Sequence, residues 1–136
     1  MRFMVLVKAT KDSEAGVLPT REQLTEMGKF NEELVKDGVL LSCDGLQASA
    51  KGARLRFDGG RPTVTDGPFA ETKELLAGFW IVQGKSKDEV ISRFMSVPFD
   101  RGEEIEIRQI FELDDFGDIL PADVREQEER LRNRST

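Results

Sequence analysis

The residues with the most useful chemistry lie in segment 66–74, which reads Asp-Gly-Pro-Phe-Ala-Glu-Thr-Lys-Glu. Asp66 could accept a proton or orient a donor group of a substrate, and Lys73 would place a positive charge nearby. A proton-transfer role would require burial to raise the pKa of Asp66. The alternative is that Asp66 only stabilises the turn with its own side chain, as aspartate commonly does. Asp66 is therefore a candidate catalytic residue with a structural alternative.

Four further polar residues are candidates for ligand binding. If the backbone after the corner is extended, Thr72 and Glu74 lie on one face and Lys73 lies with Glu71 on the other, and one of these pairs could line a cleft. Alternatively, Lys73 and Glu74 make only surface ion pairs, each contributing at most about 1 kcal/mol. Arg108 stands among glutamates and could bind an anion or pair with Glu106.

The composition excludes several kinds of active site. The chain has no histidine and one cysteine, Cys43, so it lacks the commonest general base and cannot form a Ser-His or Cys-His nucleophile. We expect Cys43 to be a small buried apolar residue. No zinc or calcium spacing and no phosphate-binding glycine loop is present, so the sequence predicts no metal site and no cofactor. The net charge of −6 argues against nucleic acid as a partner.

Two helices and a set of short strands must position these residues. Alternating apolar residues predict strands at 3–7, 39–43, 76–82 and 105–111, and Asp58-Gly59-Gly60 predicts a hairpin between 55–57 and 62–65. A capping-box pattern at Thr20 begins a helix over 21–36, and a second at Ser86 begins another. We expect 8–19 to be a polar loop. No apolar run is long enough for a signal peptide or a membrane span, so a cytoplasmic protein with no membrane partner is expected.

The order of these elements predicts an α+β fold, the ferredoxin-like split β-α-β domain with a β-hairpin insertion. Both helices then cover one face of the sheet. The strands at 3–7 and 76–82 carry apolar side chains on both faces, and Phe79 and Trp80 are expected in the core or an interface. Because one copy would leave an apolar face in water, we predict a homodimer formed by sheet-face packing.

Residues 114–136 change in character and are predicted to form a charged helical extension to a domain at 1–113. Acidic and basic side chains alternate there, and Val124 and Leu131 are the apolar residues after Ala122. One interpretation is a solvated helix that frays at its end. The other is an arm that packs on a second subunit.

Segment 66–74 resembles the signature of the DGPF proteins, a branch of the YCII-related group. Met4-Val5-Leu6-Val7, Gly45-Leu46-Gln47 and 104–108 are also similar to that group. The resemblance covers about 1–113 and implies a dimeric α/β barrel. It also implies a His-Asp pair in a cleft, but Gln23 stands at the histidine's place, and glutamine cannot exchange a proton near neutral pH. Some DGPF proteins resemble accessory partners of extracytoplasmic-function sigma factors.

Two functions follow as hypotheses. The first is a protein that binds a small molecule between the first long helix and the sheet, near the Asp66 corner, with at most weak enzymatic activity. The candidate ligand-binding residues are Gln23, Asp66, Thr72, Lys73, Glu74 and Arg108. The second is a regulatory or interaction protein without chemistry, which uses the extension at 114–136 as its contact. The identity of the ligand is not encoded in these patterns.

Overall fold

The computed structural model describes residues 1–134, apart from the side chain of Thr72. Apart from one additional short helix, the strands and helices follow the order that the sequence predicts. The strands are β1 (Arg2–Lys8), β2 (Leu40–Gly45), β3 (Ala53–Arg56), β4 (Thr63–Asp66), β5 (Leu76–Gln83) and β6 (Ile105–Gln109), and the helices are α1 (Lys11–Glu14), α2 (Arg21–Lys36), α3 (Lys87–Phe94) and α4 (Ala122–Arg134).

The main sheet has four antiparallel strands in the order β2-β5-β1-β6. The first strands of the two β-α-β units, β1 and β5, are neighbours at the centre of the sheet. The second strand of each unit lies beside the first strand of the other unit, which is the ferredoxin-like arrangement. Strands β3 and β4 form a separate two-stranded hairpin. The predicted α+β fold with its hairpin insertion is confirmed.

The core lies between the sheet and helices α2 and α3. Alternate residues of the two central strands point into it, and α2 and α3 add further apolar side chains. The buried cluster is Phe3, Val5, Leu34, Trp80, Val82, Val90 and Phe94. Trp80 and Phe94 meet edge to face with 5.1 Å between ring centroids, a favoured geometry for aromatic pairs. Trp80 is thus a core residue.

The other face of the central strands is also apolar. Leu6 lies opposite Phe79 and Met4 lies opposite Ile81 in the β1–β5 register. These four side chains, which we call the second sheet face, alternate with the core residues and are half-buried. The prediction that β1 and β5 are apolar on both faces is confirmed.

Local signals explain where α2 begins and ends. The Thr20 hydroxyl accepts the Gln23 N–H at 3.1 Å, and the Gln23 side chain accepts the Thr20 N–H at 2.9 Å. This is the predicted capping box. At the other end Gly38 has φ of 69°, the left-handed conformation that glycine adopts without strain.

Three segments differ from the sequence prediction. The expected loop 8–19 contains the short helix α1, because Thr10 and Ser13 form a further capping box. The stretch Thr72–Glu74 is a 3₁₀ turn rather than extended chain, so the expected two-face alternation there was wrong. Strand β6 ends at Gln109, and Phe111 is 68% exposed instead of buried, stacked on Phe116 with centroids 5.2 Å apart.

Ion pairs at Glu112 connect the C-terminal helix α4 with strand β1. A 3₁₀ segment, Leu113–Ile119, leads into α4. Glu112 accepts a hydrogen bond from Arg2 at 2.7 Å and one from Arg132 of α4 at 3.2 Å. The pKa of Glu112 is lowered, chiefly by the hydrogen bond from Arg2.

Within residues 1–134 no helix has the length and apolar character needed to cross a membrane.

Candidate functional site

The Asp-Gly-Pro-Phe corner packs tightly against the segment before β3. The Gly67–Pro68 peptide bond is cis. A Cβ atom on Gly67 would lie 1.7 Å from the Ser49 carbonyl oxygen, so only glycine fits there. The Phe69 N–H donates to the Ser49 hydroxyl at 3.1 Å. The corner is therefore built around Ser49.

A carboxylate from α1 completes this contact. Glu14 accepts hydrogen bonds from the backbone N–H of Ser49, at 3.0 Å, and from its hydroxyl. These bonds lower the pKa of Glu14, since they favour the charged form. On the outer side the Arg54 guanidinium lies 3.8 Å from the centroid of the Phe69 ring and 3.3 Å from a Glu71 oxygen. The signature segment thus joins α1 to the hairpin.

The predicted site residues of the corner lie at its surface. Asp66 is exposed in β4, paired through the backbone with Ala53, and its side chain makes no hydrogen bond within the described chain. Lys73 and Glu74 are exposed in the 3₁₀ turn. The Thr72 side chain lies outside the described residues. Ligand binding by these four residues stays a prediction.

The other two predicted residues have structural partners. The Gln23 side chain closes the capping box of α2 and also lines a cavity of about 390 Å³ with Thr10, Ser13 and Arg101. Arg108 lies 3.9 Å from Glu106, the ion pair that the sequence offered as its alternative role. A cavity of about 380 Å³ borders Phe69 of the corner, and none of the five described candidates lines it. The five do not share that cavity or the one that Gln23 lines.

A larger apolar opening lies between α2 and the sheet. This α2–sheet cleft has a volume of about 450 Å³. Its walls come from α2, the facing ends of β1, β2 and β5, and the segment after α3. The principal lining side chains are Val7, Leu24, Met27, Asn31, Cys43, Trp80 and Phe99.

Two polar groups in the cleft are defined by their partners. The Trp80 indole N–H donates to Asn31 Oδ1 at 2.9 Å. Burial raises the pKa of the Cys43 thiol, with a further contribution from the Asp44 carboxylate. Cys43 is therefore held as a neutral thiol, but it is half-buried at the cleft and not fully buried as predicted.

Adjoining cavities extend from this cleft toward the signature corner. A cavity of about 500 Å³ shares Gly45 and Ala77 with the α2–sheet cleft. It shares Leu46 and Gln47 with a third cavity, of about 380 Å³, which Phe69 of the corner borders. The α2–sheet cleft and the corner thus lie at the same end of the sheet.

Sequence reasoning missed the residues that make this cleft. Leu24 and Met27 recur along α2 at the helical spacing typical of a buried stripe, yet Leu24 is 59% exposed at the rim. Asn31 lies on the same helical face, four residues after Met27. An amide interrupting an apolar stripe is the signal that could have identified it.

Comparisons with known proteins identify a family, a similar protein and a similar solved structure. The family model described as YCII-related domain matches residues 1–114. An uncharacterised protein of Rhizobium meliloti (strain 1021) is 35% identical over 68 residues, which cover 50% of this chain and 55% of the relative. The match therefore spans about half the length of that curated relative.

A similar solved structure is 5-chloro-2-hydroxyhydroquinone dehydrochlorinase from Burkholderia phenoliruptrix AC1100, in complex with 2,5-dihydroxybenzoquinone. It is 17% identical, with a TM-score of 0.40, and the alignment covers 82% of this chain and 96% of that one.

Proposed function

The chain belongs to the YCII-related domain family, and we propose that it binds a small molecule in the α2–sheet cleft. The observation that carries this proposal is the cleft itself. Its volume of about 450 Å³ falls within the range of about 300–1,000 Å³ that is usual for ligand pockets. Its walls are mainly apolar, with a few polar groups among them, which is the usual composition of such pockets.

The exposure of Leu24 supports the same proposal. This side chain is 59% exposed at the rim, although it lies on the apolar face of α2. A ligand in the cleft would cover it and gain about 25 cal/mol for each square ångström of apolar surface removed from water. A leucine left partly in water beside an apolar opening is expected of a binding surface.

The cleft is better suited to binding than to proton transfer. Among its described lining residues Asp44 is the one acidic residue, and its side chain lies on the other side of the sheet, beside Phe79. The Cys43 thiol is kept protonated by its raised pKa. Efficient acid–base catalysis uses a group that titrates near the working pH. We therefore propose ligand binding as the principal role.

A pair of variants on α2 tests the proposal. Leu24→Glu places a charge at the rim of the cleft, while Val35→Glu makes a similar change on the same helix at a site that does not line it. The two positions are 59% and 61% exposed. Small aromatic compounds would be titrated while the fluorescence of Trp80, the single tryptophan, is recorded.

We expect saturable changes in Trp80 fluorescence with the unaltered protein and with Val35→Glu. Binding should be weakened at least about tenfold in Leu24→Glu, because a desolvated carboxylate is costly beside an apolar ligand. Equal affinities for the two variants would show that ligands bind outside the cleft.

We further propose that the protein is a homodimer, as the sequence suggested. The support is the second sheet face, where Met4, Leu6, Phe79 and Ile81 form a contiguous apolar surface opposite the helices. Packing two such faces about a twofold axis would remove them from water.

The interaction role is a second candidate, favoured by the hairpin. Leu55, Phe57 and Val64 are 56%, 73% and 62% exposed there, and Leu55 lies directly opposite Val64. Exposed apolar patches often mark contacts with other proteins. A pull-down comparing the full chain with Phe57→Ser and with a chain ending at Leu113 tests this role. Equal recovery of partners in all three would discard both the hairpin and the extension as contacts.

A further inference from the structure

The orientation of the Asn31 amide in the cleft is fixed by Trp80. An indole N–H can only donate a hydrogen bond, so the atom 2.9 Å away must be the carbonyl oxygen of Asn31 and not its nitrogen. Trp80 is 4% exposed and is held in the core by aromatic contacts with Phe30 and Phe94. The Asn31 side chain is thus anchored at one end by a rigid partner.

The other end of that amide carries two N–H donors. Within the described chain Asn31 Nδ2 makes no hydrogen bond. The atom is accessible to solvent, since no buried side-chain nitrogen of these residues lacks a partner. Because Asn31 lines the cleft, these donors are available to a ligand. A preorganised donor in an apolar setting selects an acceptor, since a ligand without one would leave the amide unpaired when it excludes water.

The charges around the cleft disfavour an anion. No lysine or arginine is among its described lining residues, so an anionic ligand would lose water without gaining an opposite charge. Asp44 pairs with Phe79, so its carboxylate lies on the side of the second sheet face and gives a ligand in the cleft no partner.

We infer that the ligand is an uncharged, mainly apolar molecule carrying a hydrogen-bond acceptor, such as a carbonyl oxygen, which the Asn31 amide receives. This inference rests on the proposed function and gives it a ligand class. The rigid Trp80–Asn31 pair sets the position of the acceptor, and the apolar walls contact the remainder of the molecule.

Three probes of similar size and shape test the inference by isothermal titration calorimetry near pH 7. Acetophenone has a carbonyl acceptor, ethylbenzene has none, and benzoate is an anion. We expect acetophenone to bind about tenfold more tightly than ethylbenzene, the effect of one hydrogen bond to an otherwise unpaired amide. Benzoate should bind most weakly of the three.

The variant Asn31→Asp provides the matched control. Aspartate is nearly isosteric and can still accept the Trp80 N–H, but it has no donor to offer. We expect it to weaken the binding of acetophenone about tenfold more than that of ethylbenzene, because the carboxylate costs both ligands alike and only acetophenone also loses a hydrogen bond. The probe series on the unaltered protein tests the inference even if this variant folds poorly.

The outcomes separate the two proposals. If ethylbenzene or benzoate binds as tightly as acetophenone, a binding cleft stands but its selection of a neutral acceptor is overturned. If acetophenone loses no more affinity than ethylbenzene does in a folded Asn31→Asp protein, the role of Asn31 is overturned. If none of the three probes binds, both proposals are overturned.

Discussion

Gly67 shows how a single residue in the signature segment serves packing. Its backbone approaches Ser49 so closely that an added Cβ would lie 1.7 Å from the carbonyl oxygen. Backbone cannot move aside as the end of a flexible side chain can. The sequence indicated a stiff corner here, but the contact with Ser49 depends on a segment some twenty residues earlier and was not predictable from the local pattern.

Gly67→Ala should therefore destabilise the protein by about 2–4 kcal/mol, because it forces two backbone segments apart. Gly60→Ala is the control: a Cβ there meets nothing within 4 Å, so its effect should stay within about 1 kcal/mol. Urea unfolding measures both. Equal stability of the two variants would refute the close packing of the corner.

Glu14 should make stability depend on pH. Its pKa is lowered in the folded state by hydrogen bonds from Ser49. A carboxyl with a lowered folded pKa stabilises the protein above its unfolded pKa, and this contribution is lost as pH falls through the folded value. The sequence placed Glu14 in a polar loop, and only the packing of α1 against Ser49 gives the carboxylate its partner.

We expect Glu14→Gln to lower the free energy of unfolding near pH 7 and to reduce its loss between about pH 5 and pH 2. Glu32→Gln, at an exposed position on α2, is the control and should leave the pH profile close to that of the unaltered protein. Parallel profiles for Glu14→Gln and the unaltered protein would contradict the role of the Glu14–Ser49 contact.

At the scale of the element, the bounds of α2 were well predicted from the sequence, whereas its role in the cleft was not. Its bounds follow from signals within the chain, namely the capping box at Thr20 and the glycine at the end. Its role in the cleft does not, because that depends on which part of the apolar stripe the sheet leaves uncovered. Leu34 is fully buried, whereas Leu24 on the same stripe is 59% exposed.

The cap can be tested by its effect on the stability of the protein and on the first turn of α2. Thr20→Ala removes the acceptor for the Gln23 N–H and should cost about 1 kcal/mol. Thr25→Ala is the control, since the Thr25 hydroxyl only donates to the Arg21 carbonyl within the helix, and alanine favours helix.

We expect Thr20→Ala, and not Thr25→Ala, to lower the thermal midpoint and to raise hydrogen exchange in the first turn of α2. Identical behaviour of the two variants would show that the cap contributes little to this end of the helix.

At the scale of the whole molecule, the two apolar faces of the sheet were predictable from the sequence. Alternation in β1 and β5 indicated two apolar faces, and the structure has them, with Phe3 and Val5 in the core and Met4 and Leu6 on the second sheet face. Which surface covers the second sheet face is a matter of assembly. The homodimer therefore stays a proposal that rests on the cost of leaving this surface in water.

Sedimentation velocity of the full chain at micromolar concentration tests the dimer. The unaltered protein should sediment as a dimer, and Phe79→Asp should sediment as a monomer, because a charge at the centre of the second sheet face would be desolvated in the dimer. Phe57→Asp, on the exposed hairpin, is the control and should remain dimeric. A folded monomer of the unaltered protein at that concentration would exclude sheet-face packing.

The central claim is that a small apolar molecule occupies the α2–sheet cleft, and amide chemical-shift mapping with acetophenone tests it most directly. Because the chain has one tryptophan, its indole N–H gives one resonance, which reports on the bond to Asn31. The account predicts that this resonance and the amides of Cys43 and Gly78 shift and saturate together. Shifts confined to Asp37, Gln83 and Arg93, which line a separate cavity of about 470 Å³, would contradict it.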